Sequence, residues 1–196
     1  MNEMKKYITI PNLVTISRAV FLPFLYIFMH LGMNVSFLVT YMILGSTDFW
    51  DGKLARWLKQ VTSIGKALDS ICDLLFYLSS IWFFYYLFKD FLEPNMLLLW
   101  VLIGTLILSL VVSSIRCRKP MMLHTRILRL SAMLVYFLVI FSFMFDTTYF
   151  VTIVILVFIT GFLEATLIFM KYGHVDPDTT SIFALIKGEK STTNYV

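Results

Sequence analysis

Residues 46–73 read STDFWDGKLARWLKQVTSIGKALDSICD, with Asp48, Asp51, Asp69 and Asp73 set between long apolar runs. Elsewhere the 196-residue chain avoids charge: 59% of it is hydrophobic, 14% is charged, and its mean hydropathy is +0.83. Soluble domains carry about 25% charged residues, and about 20 apolar residues suffice to cross a bilayer core. The pattern predicts an all-α integral membrane bundle of six transmembrane helices, near 15–34, 35–50, 70–88, 95–115, 128–145 and 149–171. The second and third helices are expected to run on into the aspartate stretch. Residues 1–12 read as a short amphipathic segment at the membrane surface, punctuated by Pro11 and Asn12. Residues 172–196 read as a tail with a turn at Asp176-Pro177-Asp178, and the whole of 1–196 reads as a single domain.

Basic residues orient this bundle. With the N-terminus cytoplasmic, every one of the 16 Lys and Arg residues except Lys89 falls on the inner side, a strong positive-inside bias. Both termini and the aspartate stretch are then cytoplasmic. The first span is longer than a signal peptide's apolar core and lacks a small-residue cleavage site, so it reads as a retained helix. Cys72 and Cys117 lie towards the reducing side, where no disulfide is expected. Arg18 stands one to two turns inside the first span and Glu164 at similar depth in the last. Charges there must pair, snorkel or face a wet cavity, and their shared depth motivates an Arg18–Glu164 pair as a hypothesis.

Spacing gives the aspartates a geometry. Asp48 and Asp51 are three apart and share a helix face. Gly65, Asp69 and Asp73 follow at intervals of four, one stripe on the next helix. Four carboxylates this close raise one another's pKa unless cations stand among them. Oxygen-only donors favour Mg²⁺, Mn²⁺ or Ca²⁺, and paired ions of this kind serve phosphoryl chemistry. Small Gly52 and Ala55 let a ligand approach the backbone, Arg56 suits a diphosphate, and Gly65 leaves space above Asp69. The alternating ligands of a twelve-residue calcium loop are missing. An ion path remains the other reading of acidic residues in a membrane, although transporters place theirs at mid-membrane within repeated, broken helices.

At these residues the chain resembles the CDP-alcohol phosphatidyltransferase family, whose pattern is D-x-x-D-G-x-x-A-R, eight residues, G-x-x-x-D-x-x-x-D. All eight fixed positions match: Asp48, Asp51, Gly52, Ala55, Arg56, Gly65, Asp69 and Asp73. The resemblance implies transfer of a phosphatidyl group from a CDP-lipid, usually CDP-diacylglycerol, to an alcohol, with release of CMP. It further implies two divalent cations, Mg²⁺ or Mn²⁺, bound by Asp48, Asp51, Asp69 and Asp73. Asp73 would also be the catalytic base, and Gly52, Ala55, Arg56 and Gly65 would bind the CDP-lipid. A homodimer is implied too, and nothing points to nucleic acid.

The acceptor is less constrained. PNLVTISRAVFLPF, residues 11–24, resembles the start of the phosphatidylglycerophosphate and cardiolipin synthase branch, and glycerol 3-phosphate is the acceptor expected first. That branch commonly reads LDPxADK across the last two aspartates, whereas this chain reads LDSICDL, with Ser70, Cys72 and Leu74 departing from it. The serine is similar to phosphatidylserine synthases, so serine, inositol or its phosphate, and phosphatidylglycerol stay open as acceptors. Arg116, Arg118, Lys119, Arg126 and Arg129 form a basic loop that either binds a phosphorylated acceptor or only sets topology against anionic lipid. His30, His124 and His174 show no partner spacing, which points to ordinary polar roles. A catalytically silent membrane protein or a divalent-ion transporter is the alternative from another class.

Overall fold

The computed structural model describes residues 9–58, 63–118, 123, 125–173, 181, 182 and 185; within its helices the side chains of 10, 11, 48–56, 63, 64, 66, 67 and 70 lie outside that description. The described residues are helical, without a strand. Helix α1 spans Ile10–His30, α2 Asn34–Trp57 and α3 Ser63–Leu87. A short α4 (Lys89–Leu92) and a 3₁₀ turn (Glu93–Asn95) lead into α5, Met96–Cys117. Arg126–Ser142 forms α6 and Thr148–Tyr172 forms α7.

Each apolar segment of the sequence coincides with one long helix, and α2 and α3 continue into the aspartate stretch as expected. Length and apolarity mark three candidate membrane spans: Asn12–His30, Lys89–Cys117 and Thr148–Tyr172. Among the described residues of α2 and α3, the apolar stretches Asn34–Thr47 and Ile71–Leu87 are shorter. Helix α6 runs only 17 residues. Large apolar side chains stand exposed along the helices, among them Val20, Val35, Ile43, Leu97, Trp100, Ile115 and Leu167. Lipid tails satisfy such surfaces, and helices suit them because each closes its own backbone hydrogen bonds.

Local chemistry sets the ends. Thr9 caps α1 by accepting from Asn12 N–H at 3.4 Å, with Pro11 in the first turn where its missing N–H costs nothing. Gly32, at φ 66°, terminates α1: its N–H bonds Met29 O and the Met33 N–H bonds Phe28 O. That paired closure needs a left-handed residue, which glycine supplies without a Cβ clash. Thr125 caps α6 by accepting from Leu128 N–H.

The chain forms two compact units, residues 1–88 and 89–196. In the first, α1 packs along both α2 and α3. Its interior is aromatic: Phe37 meets Phe83 edge-on at 5.1 Å, and Tyr41 stacks on Phe76 at 5.1 Å. In the second, α7 is the central helix and packs on α5 and α6. Gly161 permits the close approach of α6, since a Cβ there would stand 2.7 Å from Leu128 Cδ2. Ile182 and Leu185 of the tail pack on a core of Cys117, Leu123, Ala165, Ile168 and Phe169. The 1–8 part of the interfacial segment, most of the tail, Lys119, His124 and His174 fall outside the described residues.

Candidate active site

Two helices supply the motif. Positions 48, 51, 52, 55 and 56 lie on α2, and 65, 69 and 73 on α3. Gly65, Asp69 and Asp73 are each half-buried, one helical turn apart along α3. The side chains of Asp48, Asp51, Ala55 and Arg56, and the surroundings of Gly52, lie outside the description.

A third helix enters the site. Arg18 of α1 is 1% exposed, and its Nη1 forms an ion pair with Asp73 Oδ1. Its Nε donates to Thr47 Oγ1 of α2 at 3.3 Å, and that hydroxyl donates on to Leu44 O at 2.6 Å. One guanidinium therefore ties α1 to both motif helices, at Thr47 beside Asp48 and at Asp73. Deeper in the unit, Tyr26 donates to Ser79 Oγ and Tyr41 to Ser80 Oγ, both at 2.9 Å. Ser80 in turn donates to Phe76 O. Buried polar groups need such partners, and each bond fixes the rotation of a helix carrying the motif.

The sequence reading weighed snorkelling against a cavity role for Arg18 and raised a pair with Glu164 as a hypothesis. Within the first unit Arg18 forms an ion pair with Asp73. Within the second, Glu164 Oε1 accepts the Ile182 N–H at 3.0 Å.

The basic loop is divided. Arg116, Arg118, Arg126 and Arg129 are exposed. Arg116 Nη2 donates to Met170 O at 2.6 Å and so closes the end of α7. Arg118 adopts a left-handed conformation, φ 57°, at the end of α5. Cys72 and Cys117 are both buried.

Among the described residues no group of three or more His, Cys, Asp or Glu forms a metal cluster. The described part of the motif is the Asp69–Asp73 pair, an oxygen-only donor set of the kind hard divalent cations prefer. The chemistry of that pair fits such ions.

The chain is 35% identical over 95 residues to the CDP-diacylglycerol–glycerol-3-phosphate 3-phosphatidyltransferase of Aquifex aeolicus, covering 48% of this chain and about half, 52%, of that protein. A protein of the same name from Wigglesworthia glossinidia brevipalpis is 27% identical over 180 residues, 86% of this chain and 94% of that one. A third, from Haemophilus influenzae, is 40% identical over 67 residues, 33% of this chain and 36% of its own. No solved structure matches the chain significantly. The family model of the CDP-alcohol phosphatidyltransferases matches residues 8–163, which include the whole aspartate motif and the helix that carries Arg18, and the chain belongs to that family.

Proposed function

We propose that the protein transfers the phosphatidyl group of CDP-diacylglycerol to a hydroxyl of glycerol 3-phosphate and releases CMP. The observation that carries this is the intact motif, with Asp69 and Asp73 aligned on α3 and Asp73 gripped by Arg18. The choice of acceptor rests on the names of the relatives, one of which aligns over 94% of its length. The family match crosses both compact units, which supports treating 1–196 as one catalytic domain.

In this reading the acceptor oxygen attacks the phosphorus bearing diacylglycerol. Its new P–O bond forms as the bond to the cytidylate oxygen breaks, and CMP leaves with the electron pair. The hydroxyl proton passes to the Asp73 carboxylate, a general base of the kind worth about 10²–10⁴-fold in rate. Gly52, Ala55, Arg56 and Gly65 form the CDP-lipid site, Arg56 against the diphosphate. Asp48, Asp51, Asp69 and Asp73 would hold two Mg²⁺ or Mn²⁺ ions, which when bound would supply charge to polarise the diphosphate and stabilise the CMP leaving group. Arg116, Arg118, Lys119 and Arg126 attract the acceptor phosphate. Six spans, cytoplasmic termini and active site, and a homodimer complete the proposal.

The test is CMP release from CDP-diacylglycerol by the purified chain with Mg²⁺ or Mn²⁺. Acceptors are glycerol 3-phosphate, serine, inositol, inositol phosphate and phosphatidylglycerol in parallel. Release with glycerol 3-phosphate alone, abolished by chelation and by Asp73→Asn, is the expected result. Release with another acceptor would keep the chemistry and change the product. No release with any of them, from folded protein, would overturn the proposal.

A further inference from the structure

We infer that Arg18 is a positioning residue for the transfer: it fixes the Asp73 carboxylate and ties α1 to the active-site ends of α2 and α3. The inference rests on Asp73 being the base proposed above. An arginine within a membrane span is costly unless paired, and this one is nearly buried, with its side chain 2% exposed. Its partner is not: the Asp73 side chain keeps 27% of its surface open. One carboxylate oxygen is thus held against a rigid cation while the side chain still meets the site's surface, so Arg18 sets the orientation in which the carboxylate faces a substrate.

Arginine suits this role better than lysine. Its planar fork sends Nη1 to Asp73 and Nε to Thr47, so orientation as well as charge is transmitted between three helices. Thr47 immediately precedes Asp48, so the same link reaches the α2 half of the motif. A lysine would supply the charge from a single flexible point. A pair serving only to hold the fold could be exchanged for apolar side chains without loss; a positioning pair could not.

The experiment uses the full chain in mixed micelles with CDP-diacylglycerol, glycerol 3-phosphate and Mg²⁺. Wild type, Arg18→Met, Arg18→Lys, Thr47→Val and Asp73→Asn are compared for kcat, KM, CDP-diacylglycerol binding stoichiometry and melting temperature. Arg18→Met should lower kcat about 100-fold, the lower range for a displaced general base. It should still bind one CDP-diacylglycerol per chain with KM within about threefold of wild type, since general-base loss acts on the transition state. Arg18→Lys should recover about a tenth of the wild-type kcat, and Thr47→Val should lose a few-fold, both smaller disturbances of the same orientation. An Arg18→Met enzyme with wild-type kcat overturns the inference. So does a kcat that falls only in proportion to lost lipid binding, without recovery in Arg18→Lys. If Arg18→Met does not fold, Arg18→Lys and Thr47→Val decide: unchanged kcat in both rejects the role. Failure of the underlying reading looks different, with wild type silent or Asp73→Asn fully active.

Discussion

In residues 1–88 the buried polar side chains reach from helix to helix: Arg18 to Asp73 and Thr47, Tyr26 to Ser79, Tyr41 to Ser80. In residues 89–196 several turn back on their own helix. Ser113 donates to Leu110 O, Ser131 to Ile127 O, Ser142 to Leu138 O and Thr166 to Phe162 O. A hydroxyl returned to its own backbone satisfies burial without needing a neighbour. A cross-helix ion pair demands desolvation of two charges and good geometry. The chain accepts that cost beside the aspartate motif, which argues that the first unit was shaped by chemistry and the second by packing.

The largest effect should come from dismantling the ion pair. Asp73→Asn should cost about 3 kcal/mol or more of stability, because it removes one charged partner of a buried ion pair. The double variant Arg18→Met with Asp73→Leu should regain much of that stability while releasing no CMP, read by thermal unfolding alongside the assay. Recovery of activity in the double variant would erase the distinction between the units.

In the second unit, Asn95→Ala is the matching test. Asn95 is buried, its Nδ2 donates to Thr148 O at 3.1 Å, and its Oδ1 accepts from Thr152 Oγ1 at 2.6 Å. Losing these should cost about 1–3 kcal/mol and leave kcat near wild type. Gly161→Ala should cost about 1 kcal/mol, the low end for overpacking, because the Leu128 terminal methyl can give way. Its melting temperature should fall with CMP release unchanged.

The smallest effect concerns the connection between α6 and α7. Asp146 accepts from both the side chain and the backbone N–H of Thr148, and these bonds lower its pKa below the usual 3.8. A carboxylate depressed in the folded state adds stability above its unfolded pKa, and that share is lost as pH falls through the lower folded value. Unfolding of wild type and Asp146→Ala should differ slightly near neutral pH. The two should converge below the ordinary carboxylate range.

Much of this was legible in the residues themselves. Apolar runs fix helices locally, so each of the six runs read from the sequence lies largely within one helix. Motif spacing put Asp69 and Asp73 on one face of α3 because the helical repeat is a property of the backbone. The count of spans was less legible: six apolar runs are read from the sequence, and among the described residues three helices are long and apolar enough to cross a membrane.

By itself the sequence determined the helices, the carboxylate stripe and the family. Only the tertiary structure decided where the two membrane-depth charges go: Arg18 to Asp73, 55 residues away, and Glu164 to the Ile182 N–H, 18 residues away. Periodicity reports which face of a helix a residue occupies, while partnership depends on which helices pack and at what rotation. That is settled by the fit of buried side chains such as Phe37, Tyr41, Phe76 and Phe83, whose contacts no local spacing encodes.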